Sequence, residues 1–145
     1  MNARHRAREV ALQILYRYDV DSHSNGIQPP ADMALAADLA KHFDHFQVPQ
    51  ALREFAAELV AGTLRKMPQL DETIEKHATN WKVSRMAFID RSLLRMAIYE
   101  MGHFPDTARA VAIDEAIELA KQFGTSDTPA FVNGILDAIH PEKNA

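Results

Sequence analysis

The 145-residue sequence contains no cysteine, which excludes a disulfide framework, a cysteine-based zinc site, a thiol nucleophile and iron–sulfur ligation. No window approaches the 18 or so uninterrupted apolar residues that a membrane-spanning helix needs. The first 20 residues are rich in arginine and do not contain the apolar core of a secretion signal. We therefore expect a cytoplasmic protein that makes no contact with a membrane.

Motifs of catalysis and cofactor binding are also missing. The five glycines are scattered and form no phosphate-binding loop, and neither G-x-S-x-G nor H-E-x-x-H occurs. Glu100 with His103 has the spacing of a metal-ligand pair, but Gly102 interrupts the helix predicted there. His42 and His45 have no third ligand spaced with them. We expect a protein that is not an enzyme and that binds neither metal nor cofactor.

What the sequence does contain is the composition of a single globular domain, with 47% hydrophobic and 25% charged residues. The net charge of −4 argues against nucleic-acid binding when it is taken as one number. Its distribution is uneven, because residues 1–17 carry +3 whereas residues 18–64 sum to −5 and residues 65–145 to −2. A basic amino end is therefore attached to an acidic body.

Apolar residues recur at helical spacing in the first half of the chain. The stripe that predicts the first helix, over residues 3–20, comprises Ala7, Val10, Ala11, Ile14, Leu15 and Tyr18. Residues 22–30, with Gly26 and two prolines, predict a loop. Further helices are predicted over residues 31–45, from Pro49 to residue 64, and from Pro68 to about Asn80, the last with Trp81 among its apolar positions.

The second half of the chain predicts three more helices. Ser84 is a candidate cap for the first of them, which is apolar on more than one face and therefore central, and Gly102 is a candidate stop. Gly124 marks the end of the second helix. Ser126 or Asp127 can cap the last helix, which ends before Pro141. Since no segment alternates with period two, the fold class is all-α, a compact bundle of six or seven helices.

The clearest candidate for binding chemistry is the arginine cluster, which we define as Arg4, Arg6, Arg8 and Arg17. Arg4 and Arg8 lie off the apolar stripe, so we expect their side chains to project to solvent. Tyr16 and Tyr18 lie close by on the same helix. Forked guanidinium donors suit phosphates and aromatic faces suit unpaired bases, so this combination indicates single-stranded RNA as a ligand.

Four blocks of sequence resemble the NusB family of transcription antitermination factors. They are residues 6–16 (RAREVALQILY), 90–100 (DRSLLRMAIYE), 111–121 (VAIDEAIELAK) and 131–137 (FVNGILD). The blocks stand in the family's order and span nearly the whole chain, with residues 21–47 the least similar. This resemblance implies two packed helical subdomains, which we expect at about residues 1–80 and 81–145.

The resemblance also implies a function and its partners. Proteins of this family pair with a small-subunit ribosomal protein, called NusE in this role, and bind the boxA element of nascent ribosomal RNA transcripts. The RNA polymerase elongation complex is then an indirect partner. Carried over to this chain, the resemblance assigns RNA binding to Arg4, Arg6, Arg8, Asp127 and Phe131, and NusE binding to Tyr16 and Asp90.

Two other functions remain open from sequence. Helical domains similar to this family also precede the catalytic domain of ribosomal RNA cytosine methyltransferases, so the chain could be an RNA-targeting module of that kind. It lacks the cysteine and the methyl-donor glycine loop that the enzyme needs. Alternatively, the chain is a homodimeric structural protein whose arginines only increase its solubility.

Overall fold

The computed structural model describes residues 3–141, and over that range the chain forms seven α-helices and one 3-10 turn. The helices are α1 (Ala3–Asn25), α2 (Asp32–His45), α3 (Gln50–Arg65), α4 (Met67–His77), α5 (Phe88–His103), α6 (Arg109–Phe123) and α7 (Thr128–Asp137). The 3-10 turn, Val83–Arg85, precedes α5 in the chain. The predicted all-α class is confirmed. No helix within residues 3–141 has the length and apolar character that crossing a membrane requires.

The chain divides into two compact units, the N-terminal unit (Met1–Gly62) and the C-terminal unit (Thr63–Ala145). The boundary expected from sequence lies near residue 80, so the observed division assigns α4 to the C-terminal unit instead. The reason is tertiary, because α4 packs against α5. Arg95 of α5 also donates two hydrogen bonds to the carboxylate of Asp71 on α4, at 2.6 and 2.9 Å. A bidentate pair of this kind holds two helices in a defined orientation.

In the N-terminal unit, α1 buries the apolar stripe that the sequence predicts. All six of its positions are buried. The helix is longer than predicted, since it continues through Ser22 and ends at Asn25. Gly26 has a φ of +67°, and its N–H donates to the carbonyl of Ser22 at 3.2 Å, which completes the last turn. Glycine adopts this left-handed conformation without the steric cost of a Cβ, so the helix ends here rather than at the residues before it.

The second and third helices are tied together by one arginine. Arg53 of α3 donates through Nε to the carbonyl of Val48 at 2.9 Å and through Nη1 to Asp44 at 2.8 Å. Val48 and Phe43 are buried beneath this contact. The stretch between α2 and α3 is therefore held by side-chain hydrogen bonds as well as by its own backbone.

In the C-terminal unit, α5 is the central helix, as predicted, because every residue from Arg91 to Gly102 is buried. Two of its predicted ends are wrong. Ser84 lies within the 3-10 turn, and α5 begins only at Phe88, so Ser84 does not cap it. Gly102 lies inside the last turn of α5, which ends at His103. Because Gly102 is buried, its backbone N–H and C=O groups have no access to water and need partners within the protein. Continuing the helix through Gly102 supplies such partners.

The end of α6 and the start of α7 are close in the chain. α6 ends before Gly124, as predicted, and a Cβ at that glycine would lie 2.5 Å from the side chain of Thr128. Asp127 occupies the position before α7, but its side chain makes no capping hydrogen bond. Thr128 provides the local contact instead, since its Oγ1 accepts the N–H of Thr125 at 3.1 Å. α7 ends at Asp137, four residues before Pro141.

Candidate nucleic-acid interface

The amino end of α1 presents two arginines whose orientation is fixed by neighbouring groups. Arg4 is exposed, and its guanidinium carbon lies 4.4 Å from the centre of the Phe55 ring. Arg6 is half-buried and donates through Nη2 to the carbonyl oxygen of Phe46 at 3.2 Å. A guanidinium stacked on an aromatic face keeps its N–H edge available for other acceptors. Arg4 is thus held in place without using the donors that a phosphate would need.

Arg8 departs from the prediction that it projects to solvent. Only 3% of its surface is exposed, and its guanidinium carbon lies 5.3 Å from the same Phe55 ring. Arg8 follows Arg4 by four residues, which places the two on one flank of the helix, and Ala7 and Ala11 of the buried stripe adjoin it. The expected exposure of Arg8 is therefore wrong, because α3 covers this flank of α1 with Phe55.

The two tyrosines of α1 have different environments. Tyr16 is exposed, whereas Tyr18 is buried and donates its hydroxyl hydrogen to Oδ2 of Asp38 on α2. Burial, followed by the hydrogen bond to Asp38, raises the pKa of Tyr18. Residues two apart on a helix point about 200° apart, so one faces solvent when the other faces the core. Tyr18 is therefore unavailable to stack on a base, and that expectation is wrong.

In the C-terminal unit, the two residues predicted for RNA binding lie at the start of α7. Asp127 is exposed, and Phe131 is half-buried one turn later. The Phe131 ring packs edge-to-face on Trp81, with ring centres 5.8 Å apart and an interplanar angle of 73°. Half of the Trp81 surface remains exposed. The start of α7 thus forms part of an aromatic surface open to solvent.

Sequence reasoning missed Trp81 because it placed this residue on the apolar face of the fourth helix. α4 ends at His77, and the chain then turns at Asn80, which has a φ of +68°. Trp81 therefore lies beyond the helix and outside its apolar stripe. The available signal was the pair Asn80 and Lys82 around the tryptophan, since asparagine favours a left-handed turn and lysine favours the surface.

Asp90, predicted to bind the protein partner, is half-buried in the first turn of α5. Its Oδ1 accepts a hydrogen bond from Oγ1 of Thr128 at 2.9 Å. The carboxylate therefore joins the start of α5 to the start of α7. One of its two oxygens has a defined intramolecular partner, which orients the group.

The model of the NusB family matches residues 5–141 of the chain. The chain belongs to the NusB family. The transcription antitermination protein NusB of Desulforapulum autotrophicum is 41% identical over 144 residues, which cover 99% of this chain and 95% of that protein. The NusB of Desulfatibacillum aliphaticivorans is 43% identical over 140 residues, which cover 97% of this chain and 91% of that protein.

Solved structures of the NusB family have the same fold. T. maritima NusB matches with a TM-score of 0.78 at 30% identity, over 92% of this chain and 87% of that chain. A complex of the antitermination factors NusB and NusE with double-stranded RNA matches with a TM-score of 0.77 at 24% identity, over 95% and 96% of the two chains. At this lower identity the likeness shows the fold alone.

The residues that the NusB resemblance assigns to binding are divided between the two units. The N-terminal unit contains Arg4, Arg6, Arg8 and Tyr16, and the C-terminal unit contains Asp90, Asp127 and Phe131. Arg4 and Arg8 meet at the ring of Phe55. Within residues 3–141 no group of three or more histidine, aspartate or glutamate side chains is placed to hold a metal ion.

Proposed function

We propose that this chain is a transcription antitermination factor that binds single-stranded boxA RNA of nascent ribosomal RNA transcripts together with the ribosomal protein NusE. It acts by stoichiometric assembly rather than by catalysis, and it reaches the RNA polymerase elongation complex through the assembled RNA. Membership of the NusB family supports this function. So do the names of the relatives that it matches over nearly their whole length, which are transcription antitermination proteins and not methyltransferases. We place the protein in the cytoplasm, where the nascent transcript that it binds is made.

The single observation that carries RNA binding is the position of exposed Arg4 at the amino end of α1, with its guanidinium carbon 4.4 Å from the centre of the Phe55 ring. A guanidinium supported by an aromatic ring can still donate a fork of N–H groups to phosphate oxygens. Arg6, held by the carbonyl of Phe46, is the second cation of this surface. We assign RNA contact first to these two residues. Arg8, which is buried behind them, contributes positive potential and support for Phe55.

The rest of the chain makes RNA binding weak unless a partner adds to it. The net charge is −4, and positive charge is concentrated at the amino end. Phosphates that pass beyond the first turns of α1 therefore meet an acidic body. A basic ribosomal protein bound beside this surface extends the positive potential, and we expect it to increase RNA affinity.

NusE binding is assigned to Tyr16 and Asp90, as the family resemblance implies. Tyr16 is 41% exposed, and tyrosine is one of the side chains enriched in the centres of protein interfaces. Asp90 presents a carboxylate whose orientation is fixed by Thr128. A fixed negative charge suits a basic partner, because no further ordering of the side chain is needed on binding. Asp127 and Phe131 are assigned to RNA on the C-terminal unit.

The experiment that tests this function is an anisotropy titration with boxA RNA and with a scrambled RNA of the same composition. Each RNA is titrated with the chain alone and with the chain saturated by NusE. We expect weak binding by the chain alone and tighter, boxA-selective binding with NusE. Equal boxA affinity with and without NusE would contradict the division of roles. Absence of boxA binding in both conditions would contradict the proposed function itself.

A further inference from the structure

The most unusual surface feature of the C-terminal unit is an exposed tryptophan. The sequence contains a single tryptophan, Trp81, and 51% of its surface is exposed. Large apolar side chains are costly to leave in water, so a monomeric protein exposes few of them in one place. Trp81 lies in contact with Phe131, which is itself only half-buried. We call this pair the aromatic platform.

Hydrogen bonds hold the backbone on both sides of Trp81. The N–H of Trp81 donates to the carbonyl of Ala78 at 3.0 Å, which closes the turn that Asn80 makes at positive φ. Two residues later, the N–H of Val83 donates to Oε2 of Glu75 at 2.8 Å. The indole is therefore fixed at its backbone on both sides. The edge-to-face contact with Phe131 further restricts its rotation and leaves one indole face uncovered by that ring.

Two exposed basic residues follow Trp81 closely in the chain. Lys82 follows the tryptophan directly and Arg85 ends the 3-10 turn, and both are exposed. The nearby Glu75 carboxylate accepts the N–H of Val83, so it is directed at the backbone of this segment. Asp127, one turn before Phe131, repels phosphates, so its assigned RNA contact is with donor groups of bases or riboses rather than with the phosphate backbone. An anionic chain that crosses this surface is thus favoured to place its phosphates beside residues 82–85.

We propose that Trp81 and Phe131 form a stacking platform for one unpaired base of a single-stranded RNA, whose adjacent phosphates contact Lys82 and Arg85. Exposed aromatic rings next to lysine and arginine are the combination by which proteins bind single strands, since every base has a face to stack and every nucleotide carries a phosphate. The inference rests on the proposed RNA-binding function and adds to it a contact residue, Trp81.

The single tryptophan makes the contact directly observable. Because Trp81 is the only tryptophan of the sequence, emission excited at wavelengths that the three tyrosines do not absorb reports on this site alone. A stacked base quenches indole emission, so we expect quenching on addition of boxA RNA at low salt. Its midpoint should agree with the midpoint from anisotropy of labelled RNA. Unchanged emission at RNA saturation would overturn the proposal.

Substitution separates stacking from mere proximity. Trp81→Ala is expected to weaken RNA binding by roughly 5- to 150-fold, the range for loss of one base–aromatic stack, and Trp81→Phe is expected to retain most of the affinity. Val111→Ala removes apolar surface from another exposed site of the same unit and serves as the matched control, which should bind RNA like the unmodified chain. Equal affinities for Trp81→Ala and the unmodified chain would overturn the proposal.

The cations are tested by the salt dependence of binding. Replacing both Lys82 and Arg85 with glutamine should flatten the slope of log affinity against log salt by up to about 1.4, because each phosphate contact on a single strand contributes roughly 0.7. An unchanged slope would remove these residues from the RNA path and overturn that half of the proposal. Thermal unfolding of every variant is followed by circular dichroism. If Trp81→Ala is less stable than the unmodified chain, the RNA affinity of Trp81→Phe is used for the stacking test instead.

The results also distinguish the inference from the function on which it rests. If the unmodified chain binds boxA RNA and Arg4→Ala weakens it while Trp81→Ala does not, only the platform is overturned. If the unmodified chain binds no RNA with or without NusE, the proposed function is overturned together with the platform. If Trp81→Ala weakens association with NusE and leaves RNA affinity unchanged, the surface is a protein-binding site and the proposal is wrong.

Discussion

At the scale of single residues, the arginine cluster is not uniform. Arg4 is exposed and Arg6 half-buried, and we propose these two for phosphate contact, whereas Arg8 is buried against Phe55. A cation stacked at an exposed site contributes only about 0.5–1 kcal/mol to folding. The proposed RNA contact of Arg4 and Arg6 can therefore be tested without unfolding the protein.

Replacing both Arg4 and Arg6 with alanine should weaken boxA binding and flatten its salt slope by up to about 1.4, since two phosphate contacts are lost. The expected loss of stability is at most about 2 kcal/mol, from one cation–π contact and one hydrogen bond. Arg17→Ala is the control, because Arg17 is an exposed arginine later on the same helix. Fluorescence anisotropy at several salt concentrations measures the effect. An equal change in the Arg17→Ala variant would mean that only total charge matters.

Asp90→Asn tests whether this residue acts through its charge. The asparagine keeps an oxygen that can accept the hydrogen bond from Thr128, so stability should change by less than about 1 kcal/mol. Association with the basic NusE protein should weaken, since the negative charge is lost. Calorimetric titration with NusE measures this. Thr128→Val removes the same hydrogen bond but keeps the charge, and equal weakening by that variant would show that Asp90 acts only through the fold.

At the scale of the helices, single contacts decide how each element is held. Tyr18 joins α1 to α2 through Asp38, whose Oδ2 also lies 3.3 Å from Nε2 of His42. Gly26 ends α1 in a left-handed conformation, whereas Gly134 lies within α7 with no atom within 4 Å of an added Cβ. These two glycines and this tyrosine give predictions with matched controls.

The hydrogen bond of Tyr18 makes stability depend on pH in the alkaline range. Since the pKa of Tyr18 is raised in the folded state, the folded chain retains this proton where the unfolded chain loses it. Its contribution is therefore complete below the unfolded pKa of about 10 and falls as the pH rises further. The alkaline fall in the free energy of unfolding that Tyr18 causes should be absent in Tyr18→Phe and should persist in Tyr16→Phe. Urea unfolding from pH 8 to pH 11 tests this, and parallel curves for Tyr18→Phe and the unmodified chain would contradict it.

The same substitution should have opposite effects at the two glycines. Gly26→Ala introduces a Cβ at a φ of +67° and should lower the free energy of unfolding by about 1–2 kcal/mol. Gly134→Ala lies in an exposed position of a helix with free space, and should raise it by roughly 0.5–1 kcal/mol. Urea unfolding of both variants measures the difference. Destabilisation by Gly134→Ala would contradict this and would show that α7 requires a residue without a side chain at position 134.

At the scale of the whole molecule, the charge distribution separates this protein from a general nucleic-acid binder. A net charge of −4 disfavours unspecific binding along RNA. Binding is therefore expected only at local surfaces that present arginine, or aromatic side chains beside cations. We therefore expect RNA affinity to depend on assembly with NusE, which the titration with and without NusE measures. Its fold and its family membership agree with this role.

The sequence by itself determined the order of the helices, their number to within one, the buried stripe of α1, the central position of α5 and the family. These features depend on residues close together in the chain, whose periodicity and order are readable without coordinates. The position of the arginines on α1 and of Asp127 and Phe131 at the start of α7 was readable in the same way. Their contacts with RNA and NusE remain predictions.

Only the tertiary structure decided which of these side chains are accessible. Phe55 covers Arg8, Asp38 receives the hydroxyl hydrogen of Tyr18, and Phe131 supports an exposed Trp81. It also placed α4 in the C-terminal unit. In each case the two partners are at least 20 residues apart, so no local pattern contains both. Exposure is decided by what packs against a helix from elsewhere in the chain, and a helical period cannot specify that.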